Sequence, residues 1–158
     1  NTFEAFAPSQ FNPGNVVIIT GVSRGSSSGD FTVKFYDGAN KVQTHFQFQA
    51  FLERQEIELN SQLENGEFGE KIIAATSSAP FSIGQTFKLA LAITESDFLV
   101  AVNGERISNM AFRDDILRLL GSLTGLEVIS NNGLSVLVQG VDFLRIKPDC
   151  DGFERFTE

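Results

Sequence analysis

The chain has no tryptophan, one histidine, one cysteine and one methionine, and each shortage removes a class of function. A zinc site needs three or four His, Cys or acidic ligands in fixed geometry. His45 and Cys150, far apart in sequence, give little to begin with, so no metal is expected. A lone cysteine cannot close an internal disulfide, so the fold does not depend on an oxidising compartment, and only pairing between chains stays open. Cations are also scarce: 12 Lys and Arg stand against 20 Asp and Glu, a net charge of −8. Phosphate contacts need clustered Lys and Arg, and the absence of such a cluster argues against nucleic acid as a partner. No apolar run approaches the roughly 18 residues of a membrane helix, so membrane insertion is not expected. The opening NTFEAFAPSQ lacks the basic start and apolar stretch of a secretory signal. Cytoplasmic and extracellular locations both remain open.

Catalytic motifs are missing as well. A nucleophile triad would have to use His45, yet no serine sits in a G-x-S-x-G elbow. GVSRGSSSG lacks the Lys-Ser/Thr ending of a phosphate loop, and is expected to be a hairpin loop between strands. DCDG resembles the start of a calcium loop, but the chain ends at Glu158 before the twelfth position is reached. No catalytic residue and no cofactor are therefore assigned, and the chain is not read as an enzyme.

What the sequence does hold is strands. VVIITG, FTVKFYD, THFQFQAF, QEIELN, TFKLALAIT, DFLVAVNG, GLEVIS and GLSVLVQGVDFLRI are short runs rich in β-branched and aromatic residues, separated by Gly, Asn, Ser and Pro. Asn103-Gly104 and Asn131-Asn132-Gly133 are turn signals of the hairpin type. Only MAFRDDILRLL, with Ile116, Leu117, Leu119 and Leu120 in an amphipathic pattern, leaves a helical turn and a strand both open. The expected fold class is all-β, a two-sheet antiparallel sandwich in one domain of residues 1–146. A tail of residues 147–158 packs on it or extends from it.

Alternation assigns faces. Phe31, Val33 and Phe35 share one side of their strand; Phe87, Leu89, Leu91 and Ile93 share one side of theirs. The opposite faces carry Thr32 and Lys34, then Lys88, Ala90 and Ala92, polar or small enough to face solvent or a ligand. In THFQFQAF, Phe46 and Phe48 point inward and His45, Gln47 and Gln49 outward. In QEIELN, Ile57 and Leu59 point inward and Glu56, Glu58 and Asn60 outward. Pairing of these two strands would set His45, Gln47, Gln49 and Asn60 on one surface. Glu53, Glu56, Glu58, Glu64, Glu67 and Glu70 make its surroundings acidic, a pattern that is usually a solvated face and would disfavour anionic ligands.

PGNVVIITG, FTVKF, HFQFQ, IELNS, FGEK, PFSIGQTFKLAL and DFLVAVNG occur in the order and spacing of the galectins, and the chain resembles that family over residues 6 to 146. The resemblance implies a galectin-like jelly-roll sandwich and a metal-independent lectin that recognises β-galactosides on glycoproteins or glycolipids. The family's site reads His-x-Asn-x-Arg on one strand, Asn on the next, then Trp-Gly-x-Glu-x-Arg. Carried over, His45 and Asn60 match. Gln47 stands for Asn, Gln49 for Arg and Phe68 for Trp; Lys71 stands for Glu and Ile73 for Arg, and Glu70 lies one residue out of register. The implied carbohydrate-binding set is His45, Gln47, Gln49, Asn60, Phe68, Glu70 and Lys71. Non-classical export of the family's kind is compatible with the missing signal.

The substitutions weaken polar recognition. Gln49 loses the charged fork that makes arginine hydrogen bonds strong and directional, and Phe68 keeps a flat apolar face without an indole N–H. Lys71 reverses a charge, so the family's salt bridges cannot form as written. Restoring Asn, Arg and Trp is then expected to need Lys71→Glu as well. Two functions follow: weak or altered glycan binding on the polar face, or a galectin-fold module that has lost sugar binding and contacts protein partners or a second copy of itself.

Overall fold

The computed structural model describes residues 2–37, 43–113, 120 and 123–158. It is all-β, as the strand spacing requires. Among the described residues eleven strands run β1 (Thr2–Phe6), β2 (Asn15–Gly25), β3 (Asp30–Asp37), β4 (Thr44–Phe51), β5 (Glu56–Asn60), β6 (Ile72–Ala75), β7 (Thr86–Ile93), β8 (Asp97–Val102), β9 (Glu105–Ala111), β10 (Leu123–Asn131) and β11 (Leu134–Arg145). One sheet has the order β1-β10-β3-β4-β5-β6 and the other β11-β2-β7-β8-β9. Every pairing between neighbouring strands is antiparallel. The segments quoted from the sequence supply β2–β5, β7, β8, β10 and β11; β1 and β6, the edges of the six-stranded sheet, carry weaker patterns. The centre of MAFRDDILRLL, residues 114–119, lies outside the described residues.

Phenylalanines fill the space between the sheets. Phe31, Phe35, Phe46 and Phe48 from the six-stranded sheet meet Phe87 and Phe98 from the other, all essentially inaccessible to solvent. Phe46 stacks on Phe98 with ring centroids 4.4 Å apart, and Phe81 meets Phe31 and Phe87 edge-on at 5.2 and 4.9 Å. Offset and edge-on contacts of this kind add about 0.5–1.5 kcal/mol per pair beyond area burial.

Two turns differ from the hairpins expected. Asn103-Gly104, both at positive φ, does close a hairpin between β8 and β9. Asn132-Gly133 is also left-handed, but it carries the chain from β10 in one sheet to β11 in the other. Ser26–Gly29 likewise crosses from β2 to β3 between the sheets instead of closing a hairpin. Ser26 accepts from the Ser28 and Gly29 amides there. Local turn chemistry was readable in these segments; which sheet the next strand joins was not, because that is decided by pairing far along the chain.

The outer face of the five-stranded sheet is not open to solvent or a ligand at Ala90 and Ala92, contrary to expectation. Both are fully buried under the chain beyond β11. Residues Phe153–Thr157 form a short 3-10 helix, and Cys150 and Phe153 pack with Val16, Ile18, Ala90, Ala92, Leu99 and Ala101 in a second apolar cluster. Small side chains on the sheet leave room for this third layer. Thr157 Oγ1 accepts the Gly104 amide at 2.7 Å, and the Cys150 thiol donates to the Ile93 carbonyl at 3.2 Å. Phe156 stays partly exposed.

Candidate functional site

The outer face of the six-stranded sheet is polar because its strands alternate. Register sets two parallel rows across it. One runs Glu127, Lys34, Gln47, Asn60 over β10, β3, β4 and β5; the next runs Ile129, Thr32, Gln49, Glu58, Ile73 and so reaches β6. Phe46, Phe48, Ile57 and Leu59 lie beneath as core.

Each expected residue can be placed. His45 is buried, at 4% exposure, which corrects the expectation of an accessible imidazole. The ladder explains why: Phe35 pairs with Phe46 and Tyr36 with Thr44, so His45 is the extra residue of a bulge and leaves the regular row. Gln47 is half-buried at the centre of its row, and its amide makes no hydrogen bond to another described residue. Gln49 is drawn aside: its Nε2 donates at 2.8 Å to Asp30 Oδ2, a buried carboxylate that also accepts from Asn131 and Asn132. Asn60 is consumed internally, its Nδ2 donating to the Gly69 carbonyl at 3.0 Å and its Oδ1 accepting from the Ser61 amide at 2.9 Å and from Arg113 at 2.7 Å. Phe68 presents its ring to solvent at 46% exposure, in the loop between β5 and β6. Glu70 and Lys71 are exposed on the same loop.

Charge is redistributed rather than absent. Glu58 lies between two cations, with Lys71 Nζ 3.5 Å from Oε1 and Arg54 Nη2 3.1 Å from Oε2. Arg54 also reaches Glu56 at 3.6 Å and covers the Phe51 ring, its guanidinium carbon 3.8 Å from the centroid. The acidic patch read from the sequence is therefore partly neutralised. Glu58 stands directly across from Gln49, so an arginine at that position would meet a carboxylate already in place. Lys71→Glu is therefore not the one possible source of a carboxylate for such an arginine, although Glu58 is at present shared by Lys71 and Arg54.

Sequence reasoning missed Arg113. It follows β9, in the other sheet, yet its guanidinium reaches Asn60, Ser61 and Glu70 across the sandwich edge. Nothing in its local sequence marks it; contact across 53 positions follows from sheet packing alone. Among the described residues no group of His, Cys, Asp and Glu is placed to hold a metal. A cleft of about 330 Å³, lined by Leu52, Pro80, Phe81 and Ile83 among others, lies apart from the polar rows and includes none of Gln47, Asn60 or Phe68.

Comparison with known proteins agrees with this architecture. Sequence comparison with curated proteins finds no match. The structure of sheep galectin-11 in complex with glycerol superposes with a TM-score of 0.74 at 22% identity, covering 91% of this chain and 98% of that one. At that identity the likeness concerns the fold. The family profile for galactoside-binding lectins matches residues 2–133, and the chain belongs to that family, as a galectin-type carbohydrate-binding domain.

Proposed function

We propose that the domain is a non-enzymatic lectin that takes glycans of glycoproteins or glycolipids on the polar face of its six-stranded sheet, with only weak affinity for simple β-galactosides. The observation that carries this is Gln47. It is the one amide of the expected set left uncommitted among the described residues, half-exposed between Lys34 and Asn60, on the same face as Glu58 and near the loop that holds the exposed ring of Phe68. An amide supplies a donor and an acceptor for sugar hydroxyls, and the flat ring suits sugar C–H groups. The arginine fork that the resemblance implies is missing at Gln49 and Ile73. Each hydrogen bond to a charged group is worth roughly 1.5–3 kcal/mol, so affinity for lactose should fall by about two orders of magnitude or more.

A second reading, a galectin-fold module that contacts protein instead of sugar, is favoured by one observation: Asn60 and Gln49 spend their amides on the fold itself. Lactose titration by calorimetry and NMR, with a glycan array beside it, separates the two. Millimolar binding that shifts the Gln47 side-chain resonances supports the lectin. Silence toward every glycan supports the protein module, and micromolar lactose binding overturns the weak-affinity assignment.

A further inference from the structure

We propose that Arg113 is the positioning residue of this site: from the end of β9 it clamps both ends of the loop between β5 and β6, and so fixes the loop that carries Phe68 and Lys71. The inference rests on the lectin reading for its binding readout, but its structural claim stands on separate geometry.

The loop leaves β5 at Asn60 and re-enters the sheet at Ile72. Its first residues and its last are far apart in contour but adjacent in space, since the Gly69 amide donates to the Ser61 carbonyl at 3.1 Å and Asn60 Nδ2 to the Gly69 carbonyl at 3.0 Å. Arg113 spans the same two ends. Nη1 donates to Asn60 Oδ1 at 2.7 Å, with Ser61 Oγ and the Ser61 carbonyl at 3.4 and 3.5 Å, and Nη2 donates to the Glu70 carbonyl. A planar guanidinium with donors in a fixed fork can hold three or four acceptors at set angles; an ammonium on a flexible stem cannot.

Gly69 supports the same account. A Cβ there would lie 2.5 Å from Arg113 Nη1, so the residue beside Phe68 is small because the guanidinium rests on it. The clamp also joins the sheets, because β9 belongs to the five-stranded sheet and the loop to the six-stranded one. It therefore decides two features of the site together. Phe68 is held at a fixed place as a stacking surface, and Asn60, which also binds the Ser61 amide and the Gly69 carbonyl, is fixed beside it.

Three variants test this: Arg113→Met, which keeps the stem; Arg113→Lys, which keeps the charge; and Gly69→Ala, which displaces the guanidinium while leaving it present. Amide hydrogen exchange and NMR titration with lactose are the readouts. All three variants should speed exchange at Gly69 about tenfold or more, leave the amides of the β3–β4 ladder unchanged, and weaken lactose binding by the folded protein about tenfold, whatever the loss of a contact between the sheets does to the thermal midpoint. A purely structural role would lower the midpoint and leave the affinity of the folded fraction as it was, and that result overturns the proposal. So does full rescue by Arg113→Lys, which would reduce the effect to charge. If the unmodified protein binds neither lactose nor any arrayed glycan, the lectin reading fails by itself, and Gly69 exchange in the variants still decides whether the clamp exists.

Discussion

The two outer faces of the sandwich have opposite fates. On the five-stranded sheet the outward row is Val16, Ile18, Ala90, Ala92, Leu99 and Ala101, sealed by Cys150 and Phe153 of the tail. On the six-stranded sheet the outward rows are Lys34, Gln47, Asn60, Thr32, Gln49 and Glu58, and Phe68 beside them remains exposed. A sheet face that is small and apolar needs a cover, and this chain supplies its own. The polar face has no such cover: Lys34, Gln47, Gln49 and Glu58 stay part-exposed and open to a ligand, whereas Asn60 and, contrary to expectation, Thr32 are buried among their neighbours. Recognition is therefore expected on one side only, and the covered side is expected to contribute stability alone.

The largest effect should come from the layer both faces share. Phe46 is fully buried and stacked on Phe98, so Phe46→Ala should cost about 3–5 kcal/mol in denaturant unfolding. The neighbouring His45→Ala tests the bulge. An accessible imidazole would be nearly neutral, but the buried one should cost about 0.5–3 kcal/mol. A neutral His45→Ala would mean that the imidazole is accessible, and that the bulge, and with it the face assignment of β4, is wrong.

Next in size is the cover itself. Phe153→Ala should cost about 1.5–3 kcal/mol, less than Phe46→Ala because the tail can lift without opening the sandwich. Cys150 reports on the same layer. Burial raises its thiol pKa, and the hydrogen bond that the thiol donates to the Ile93 carbonyl favours the protonated form as well. The folded state thus holds the thiol proton more tightly than the unfolded chain. This contribution to stability is complete below the ordinary thiol pKa and is lost as pH rises through the raised one. Alkaline pH should therefore destabilise the protein, and Cys150→Ser should remove that part of the slope. Alkylation of Cys150 should be slow in the native protein and fast in the Phe153→Ala variant. Equal rates would mean that the tail does not seal this face.

Much of the contrast between the faces was legible in the sequence. Period-two alternation in THFQFQAF and QEIELN placed Phe46, Phe48, Ile57 and Leu59 inside and Gln47, Gln49 and Asn60 outside, because a strand has only two faces. The same rule failed at Ala90 and Ala92, where alanine reads equally as a solvent-facing or a covered residue until its partner is known. It failed at His45 because a bulge breaks the period. It could not find Arg113 or the Asp30 hub, whose partners are brought together by strand order rather than by spacing along the chain.

The smallest expected effect bears on the open face alone. Gln49 donates to Asp30, and Glu58 stands opposite it with Lys71 and Arg54 as its present partners. In Gln49→Arg the new guanidinium would have Glu58 directly across the ladder, the arrangement in which opposite charges stabilise a strand pair. Lys71 is 59% and Arg54 52% exposed at the side chain, so their ion pairs with Glu58 are weak and can be displaced. Lactose affinity should then rise about tenfold, roughly 1.4 kcal/mol, with Lys71 unchanged, and adding Lys71→Glu should bring no comparable second gain. Calorimetry on the single and double variants measures this directly. A gain that appears only when Lys71→Glu is present would show that repulsion from Lys71 outweighs attraction to Glu58. The charge on the loop, rather than the lost arginine, would then be what keeps this face from binding simple galactosides.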